Sequence, residues 1–216
     1  MNDPRILRAD GVQARQRLLE TALRMFAEKG YAKTSVRELA KAAQVNVSAV
    51  SYYFGDKAAL YRAVFNDPQF NPSIDPAFLE QEDLTLEQGL KAVIFTLAGS
   101  LRDGEKARDA MTLHCREMLE PTGLWNEEIE TAIKPEHLAI AAFLCRHLGV
   151  RKPDDDIHRL TFAIVGLPVS LVISTDLVQV IRPQLLKNDA AIDLFMQRMV
   201  DYAVAMVEAE RLRRKQ

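Results

Sequence analysis

The feature that most constrains the fold is the stretch of residues 34–57, TSVRELAKAAQVNVSAVSYYFGDK. Its first part predicts a helix over about 35–42, because Ser35 and Glu38 have the S-x-x-E spacing of a capping box. After a short turn, Asn46 is a favourable N-cap for a second helix of about two turns. Two short helices joined by a tight turn are the arrangement that places the second helix in the major groove of DNA.

The same residues resemble the N-terminal domain of TetR-type transcriptional regulators. The resemblance is carried by T-S-V-R-E-L-A at 34–40, A-Q-V-N at 43–46 and Y-F-x-x-K-x-x-L at 53–60, and it spans about 15–65. Gln44 stands where the family usually has glycine, at a position that commonly has a left-handed conformation. The resemblance implies an N-terminal three-helix DNA-binding domain and a C-terminal helical bundle that binds ligand and dimerises.

The predicted DNA contacts lie on the second helix and in the segments that flank the helix pair. Ser48 and Ser51 can hydrogen-bond base edges or phosphates, and Ala49 can approach a thymine methyl group. The resemblance gives Tyr53 and Lys57 positions near phosphates, although Tyr53 is also suited to the core. The full set of predicted DNA-binding residues is Thr34, Ser35, Arg37, Asn46, Ser48, Ala49, Ser51, Tyr52, Tyr53 and Lys57.

Periodicity and prolines suggest where the domains begin and end. Residues 1–11 show no helical pattern and are expected to form a mobile arm, which either reaches DNA through Arg5 and Arg8 or is a disordered tail. Three X-Pro pairs follow residue 66, and the residue before a proline avoids helical geometry. We expect a DNA-binding domain at 1–66, a proline-rich linker at 67–83 and an effector-binding and dimerisation domain at 84–216.

The apolar pattern predicts an all-α protein of about nine helices, because no segment shows the strict alternation of a strand. One helix is expected over about 125–148, where Pro135 either kinks the helix or splits it. Another is expected over about 154–180.

Charge is divided unevenly along the chain. Residues 1–65 contain 11 Lys and Arg against 6 Asp and Glu, whereas residues 66–216 contain 17 against 24. A basic N-terminal part is expected if only that part meets a polyanion. The sequence shows no secretory signal after Met1, the interrupted apolar run at 160–173 is too short for a membrane span, and two cysteines suggest no disulfide framework. These features predict a cytoplasmic protein without a membrane partner.

Residues 116–122, R-E-M-L-E-P-T, provide a second resemblance. They are similar to the signature of a TetR subgroup with its own type of effector domain, whose members are associated with the control of transport and drug-sensitivity genes. Arg116 and Glu120 also have the spacing of a simple ion pair. The surrounding helices are expected to enclose a largely apolar pocket, and each of its residues is alternatively plain core. The predicted pocket residues are Phe95, Met111, His114, Cys115, Arg116, Met118, Trp125, Phe143 and Phe162.

The last two helices are predicted to form a dimer interface, since the resemblance implies that they pack against their symmetry mates. A two-fold protein also matches a palindromic operator. The alternative is that the same apolar stripe is core within the domain. The predicted interface residues are Phe162, Val165, Val169, Val172, Ile173, Ile192, Phe195, Met196, Met199, Ala203 and Met206.

Catalytic and metal-binding readings have little support. His114 and Cys115 are adjacent, and neighbours on a helix do not face each other. The histidines and cysteines match no metal-ligand spacing. The Asp154–Asp156 run is typical of a helix start, with a cation site as the alternative. We therefore expect neither an enzyme, nor a metal, nor a cofactor.

Together these patterns predict a ligand-responsive repressor that binds palindromic double-stranded operator DNA as a homodimer. An unknown, largely apolar small molecule is expected to release it. The alternative is a non-allosteric DNA-binding protein whose C-terminal part only dimerises.

Overall fold

The computed structural model describes residues 4–71, 73–102 and 104–215, with side chains from Gly11 onward. The protein is 79% helical, and its described part contains no strand, so the predicted all-α class is confirmed. The α-helices are α1 (Pro4–Lys33), α2 (Val36–Ala42), α3 (Ser48–Phe54), α4 (Lys57–Phe65), α5 (Pro76–Leu79), α6 (Leu86–Ala98), α7 (Glu105–Leu119), α8 (Leu124–Glu128), α9 (Lys134–Leu148), α10 (Asp155–Ile173), α11 (Thr175–Ile181) and α12 (Asp189–Arg213).

The chain divides into two compact units. The first contains Met1–Asn71 and Glu105–Trp125, and the second contains Pro72–Gly104 and Asn126–Gln216. Helix α7, which the sequence-based bounds assign to the effector domain, therefore belongs to the same unit as α1–α4. The functional bounds at 1–66, 67–83 and 84–216 stay a prediction.

In the first unit, α1 is the central helix and packs against α4 and α7. Its inner face is buried through Leu18, Leu19, Leu23 and Phe26, each at most 1% exposed. Burying four large apolar side chains contributes about 1.5–3 kcal/mol each to folding. This core provides a rigid base for the two short helices α2 and α3, which are too short to be stable alone.

The two ends of α1 are at Pro4 and near Gly30, and its start differs from the sequence-based expectation. The helix begins at Pro4, so residues 4–11 are helical rather than an irregular arm. Proline is favourable in the first turn, where its missing N–H costs nothing. The side chains of Arg5 and Arg8 and the whole of residues 1–3 lie outside the described part. At the other end Gly30, with φ 79° and ψ 168°, interrupts the helical geometry.

In the second unit, α6 packs against α10 and α12, and α9 packs against α10. A close approach occurs at Gly89, where an added Cβ atom would lie 2.1 Å from Cζ of Phe143. Glycine at this position allows the Phe143 ring to lie directly on the backbone of α6.

Two predicted long helices are divided in the structure. A π-helical turn, Ile129–Ile133, joins α8 to α9 ahead of Pro135. Such a wide turn tolerates the absence of the backbone N–H that proline lacks. Helix α10 ends at Ile173, where the hydroxyls of Ser174 and Thr175 bond back to carbonyl oxygens of the preceding turn. By length and composition alone α10 is also apolar enough to cross a membrane, and within its unit it packs on α6, α9 and α12.

Candidate nucleic-acid interface

The connection between α2 and α3 has the geometry of a DNA-reading helix pair. The N–H of Glu38 donates to Ser35 Oγ and the N–H of Ser35 donates to Glu38 Oε2, both at 3.2 Å, so the predicted capping box is confirmed. Gln44 has a φ of 56°, and the N–H of Val45 donates to Ala40 O at 2.9 Å. Gln44 thus adopts the left-handed conformation that ends α2, at a cost of about 1 kcal/mol for a residue other than glycine.

Helix α3 presents a polar outer face. Asn46 Oδ1 accepts hydrogen bonds from the N–H of Ser48 (2.9 Å) and from its hydroxyl (2.8 Å), which starts the helix as predicted. Val50 is buried, whereas Ser48 and Ser51 are exposed and Tyr52 is 82% exposed. The side chains predicted to read base edges therefore lie together on the solvent side of α3.

One apolar residue of this face was not predicted. The apolar pattern places Val47 on the inner side with Val50, but Val47 is 46% exposed. Ala49, by contrast, is half-buried and packs against the core of the unit. Val47 is therefore the better candidate for contact with a thymine methyl group. The signal that could have found it is the N-cap at Asn46, because it places Val47 in the first, open turn of the helix.

Tyr53 and Phe54 link α3 to α1. The Tyr53 hydroxyl lies 3.4 Å from the position that a Cβ atom at Gly11 would occupy, and the Arg15 guanidinium lies 5.1 Å above the centre of the Phe54 ring. Both side chains are half-buried against the core. The mixed character expected for Tyr53, partly core and partly surface, is what the structure has.

Thr34 and Lys57 have internal partners, which differs from the surface positions expected for them. The Thr34 side chain is 1% exposed, and its hydroxyl donates to Gly30 O at 2.8 Å. The Lys57 ammonium donates to Tyr31 O (2.9 Å) and to Thr34 O (3.0 Å) and lies 4.1 Å from the centre of the Tyr31 ring. Both side chains thus stabilise the connection between α1 and α2, a tertiary role that local sequence does not reveal. Ser35 and Arg37 are exposed as expected.

Glu117 connects α7 to α4. Its carboxylate is fully buried and accepts hydrogen bonds from the Tyr61 hydroxyl (2.8 Å), from the N–H and hydroxyl of Thr122 (2.8 and 2.9 Å) and from the N–H of Trp125 (3.3 Å). Burial and the adjacent Glu117 carboxylate raise the pKa of Tyr61. Four donors satisfy this buried acceptor.

Arg116 connects the same helix to α1. Its Nε donates to Ala27 O at 2.5 Å and its Nη2 donates to Glu28 O at 2.9 Å. The guanidinium therefore binds main-chain oxygens at the end of α1 rather than forming the ion pair with Glu120 that the spacing allowed. Residues of the signature thus hold α7 against the DNA-binding helices.

The predicted pocket residues are divided between the two units. Phe95, Phe143 and Phe162 belong to the second unit, and the other six belong to the first. Phe143 is 1% exposed and packed on α6, whereas Phe162 is 68% exposed. No cavity lined by all nine is a feature of either unit, and the location of an effector pocket stays a prediction.

His114 and Cys115, which could be read as a base and a nucleophile, have the surroundings of structural residues. His114 Nδ1 donates to Ala110 O at 2.8 Å, and its ring stacks on Phe65 at 4.3 Å. Burial raises the pKa of the Cys115 thiol, which opposes the thiolate that a nucleophile needs. Within the described ranges, no three His, Cys, Asp or Glu side chains lie close enough together to hold a metal ion.

The Asp154–Asp156 run is engaged by arginines. Asp154 accepts hydrogen bonds from the N–H of Ile157 and from Arg214, and Asp156 accepts them from Arg159 and Arg213. Hydrogen bonds from Arg214 lower the pKa of Asp154. These contacts support the reading of a capped helix start over that of a cation site.

The predicted dimer stripe falls on two kinds of surface. Val172, Ile192, Met196, Met199 and Ala203 are at most 8% exposed within the second unit, so they are intradomain core, as in the alternative reading. The outward apolar positions on α10 include Phe162 (68% exposed) and Ile173 (52% exposed). Val165, Val169, Phe195 and Met206 are half-buried, and a dimer interface at the six positions outside the core stays a prediction.

Comparison with known proteins gives the class to which this helix-turn-helix site belongs. A model of bacterial regulatory proteins of the tetR family matches residues 18–64, and the C-terminal domain of the HTH-type transcriptional dual regulator CecR matches residues 86–209. The chain belongs to the TetR family of transcriptional regulators, with a CecR-type C-terminal domain, and is not an enzyme.

The relatives include the dual regulator CecR of Shigella flexneri, 28% identical over 176 residues that cover 77% of this chain and 78% of that protein. AcrR of Shigella flexneri is 37% identical over 59 residues, 27% of each chain. Among solved structures, NalD, the secondary repressor of the MexAB-OprM multidrug efflux pump in Pseudomonas aeruginosa, has a TM-score of 0.64 at 20% identity and covers 91% of this chain and 97% of its own. HlyIIR, a hemolysin II transcriptional regulator, has a TM-score of 0.62 at 21% identity, with coverage of 89% and 97%. These structural likenesses show the fold.

Proposed function

We propose that this regulator represses transcription by binding a palindromic operator as a homodimer and that a small molecule releases it. The observation that carries the proposal is the exposed outer face of α3, where Ser48, Ser51 and Tyr52 project from a buried scaffold. The excess of 11 basic over 6 acidic residues in positions 1–65 favours approach to a polyanion.

Operator binding by two copies fits the symmetry of such sites. Each α3 enters one major groove, and two half-sites one helical turn apart match a two-fold dimer. Phosphate contacts from Ser35, Arg37 and Tyr53 fix the register of the helix, while the α3 side chains read bases. The protein acts in the cytoplasm, where the DNA is.

Release requires a difference in affinity. An effector that binds the DNA-free dimer more tightly than the operator complex, typically by about 1–3 kcal/mol, shifts the equilibrium towards free protein. Membership of the family supports this type of control, since TetR-family regulators typically bind small-molecule effectors. We propose a largely apolar small molecule as the effector.

Substitutions on α3 test the DNA-binding proposal. Ser51→Ala and Ser48→Ala should reduce discrimination between operator and random DNA by about 10-fold, because a base contact is worth about 1–3 kcal/mol. Tyr53→Phe should weaken binding to both DNAs equally, since a phosphate contact carries no sequence information. The measurement is a mobility-shift titration on the DNA that flanks the gene, at two salt concentrations.

Ser73→Ala is the matched control, because Ser73 is an exposed serine of the second unit. Binding that ignores both sequence and salt would contradict the proposal. An operator complex that no small molecule dissociates would instead favour the non-allosteric alternative.

A further inference from the structure

The first unit contains a cavity of about 320 Å³ that the DNA-reading surface does not use. It lies where the end of α1 meets α4 and the C-terminal end of α7. Its volume is at the lower end of the range for small-molecule sites. The residues that line it are Phe26, Gly30, Tyr31, Ala32, Tyr61, Arg116, Glu120, Pro121 and Thr122.

One wall of the cavity is a fixed guanidinium. Arg116 uses Nε and Nη2 on the carbonyl oxygens of Ala27 and Glu28, so its plane is held in place. Its Nη1 lies 3.8 Å from the position that a Cβ atom at Gly30 would occupy, and in the described part of the chain it makes no hydrogen bond. A guanidinium that is held in this way is preorganised for an anionic ligand, because it loses little freedom on binding.

Another part of the lining is aromatic. The Tyr61 ring lies 4.9 Å from Phe26 and 5.0 Å from Tyr31, in edge-to-face arrangements. Because the Tyr61 hydroxyl donates to Glu117, the ring rather than the hydroxyl is what this side chain offers to the cavity. Gly30, with φ 79°, leaves open the space that a side chain would narrow. Flat apolar groups are suited to such a wall.

Glu120 is the one carboxylate in the lining. Its Oε2 lies 3.7 Å from the same Cβ position at Gly30, and its side chain is exposed. An exposed glutamate can turn towards solvent, whereas Arg116 is held by two hydrogen bonds. The positive charge of Arg116 therefore favours an anionic ligand. The negative charge of Glu120 weakens the binding of that ligand.

We propose that this cavity binds a small planar organic carboxylate, with the carboxylate at Arg116 Nη1 and the flat body against Tyr31. The ligand would contact the Gly30–Ala32 connection that leads from α1 into α2. Its effect on operator binding rests on the proposed function, whereas the binding itself does not.

Three ring compounds of similar size test the charge. Benzoate, benzamide and benzylamine are titrated into the full-length protein without DNA, by calorimetry. Benzoate should bind at least ~10-fold more tightly than benzamide, as expected when a charged rather than a neutral partner meets the guanidinium. Equal affinities, or tighter binding of benzylamine, would overturn the proposal.

Variants at the mouth of the cavity test the location. Glu120→Gln should tighten benzoate binding by ~3-fold or more, because a like charge is removed. Ala32→Leu, at an exposed lining position, should weaken it by at least ~10-fold by filling the space. Glu105→Gln, at an exposed position in the first turn of α7, is the matched control and should change nothing.

All three positions are exposed, so circular dichroism should show an unchanged fold. If Glu120→Gln and Ala32→Leu leave benzoate affinity unaltered, the assignment of the site is wrong. Operator binding is measured separately with and without benzoate. Benzoate binding without any effect on operator binding would leave the site intact and contradict only its regulatory link.

Discussion

At the scale of single residues, the local signals were the predictable ones. The capping box of Ser35 and Glu38 and the hydrogen bonds from Ser48 to Asn46 Oδ1 at the start of α3 each depend on neighbours within three positions, and both follow the prediction. Thr34 and Lys57 were expected at the surface as DNA contacts, but Thr34 is buried and the Lys57 ammonium donates to carbonyl oxygens 26 and 23 positions away. Sequence spacing contains no information about such tertiary hydrogen bonds.

Gln44 offers a direct test at this scale. Gln44→Gly should raise the free energy of unfolding by about 0.5 kcal/mol, because relief of the positive φ exceeds the added chain entropy of glycine. Urea denaturation measures the change. Ala42→Gly, two residues earlier in helical geometry, should instead lower it by about 1 kcal/mol. Destabilisation by both substitutions would show that Gln44 is not strained.

At the scale of elements, helix existence was predictable and helix interruptions were not. Local signals account for helix ends, since Asn188 is the N-cap of α12 and α7 ends at Leu119, shortly before Pro121. At the break at Ser174 two hydroxyls bond back to the chain, but Thr161 makes the same bond inside α10 without interrupting it, so the residue type alone does not predict the break. The π-helical turn at Ile129–Ile133 has no sequence signal apart from Pro135.

The contact between α4 and α7 can be tested through Glu117. Tyr61→Phe should cost about 1–2 kcal/mol of stability, because a fully buried carboxylate loses one of its four donors. Denaturant unfolding of Tyr61→Phe, Glu117→Gln and the double variant gives the coupling energy. Tyr202→Phe is the control, since that tyrosine is 55% exposed. Additive effects would mean that the two side chains do not interact.

The contact of α9 with the segment before α5 should depend on pH. Burial raises the pKa of Glu136 to about 7, although a hydrogen bond from the N–H of Ile74 partly opposes the shift. This pKa is raised above its unfolded value of 4.5. The contribution of protonated Glu136 to the free energy of unfolding is therefore fully present below pH 4.5 and is lost as pH rises to about 7.

Glu136→Gln should remove that dependence. The variant keeps an acceptor for Ile74, and above about pH 7 it should be more stable than the parent by about 1 kcal/mol, a value reduced for solvent screening of a half-buried group. Thermal unfolding at about pH 5 and about pH 7.5 measures the change. Glu82→Gln, an exposed site of the same unit, is the control. A profile that Glu136→Gln leaves unchanged would contradict the raised pKa.

At the scale of the whole molecule, composition and motif predicted the class, but not the grouping of elements. The basic N-terminal part and the helix-turn-helix pattern predicted a DNA-binding protein, and the resemblance carried by residues 34–60 added the TetR type. Helix α7 belongs to the same unit as α1–α4, and hydrogen bonds of Arg116 and Glu117 connect it to them. From the sequence alone, these two residues could be read only as part of the signature at 116–122, with Arg116 in a simple ion pair. The dimer stripe was likewise ambiguous, because a wide apolar face on α12 serves core and interface equally.

The proposed homodimer can be tested on its exposed positions. Phe162→Asp and Ile173→Asp together should raise the dimer dissociation constant by at least ~100-fold, because each places a charge in a desolvated contact. Sedimentation equilibrium measures it. Leu119→Asp in the first unit, at a position that is 83% exposed, should leave the association unchanged. A dimer that survives the double substitution would place the interface elsewhere.

Arg116 recognises α1 through carbonyl oxygens, and every amino acid supplies the same carbonyl oxygen to a helix. The side chains at positions 27 and 28 can therefore drift without loss of this attachment. A chimera that carries the α1–α4 segment of another family member would present an equivalent pair of oxygens to the same guanidinium. Exchange of residues 27 and 28 between relatives thus requires no matching change at Arg116.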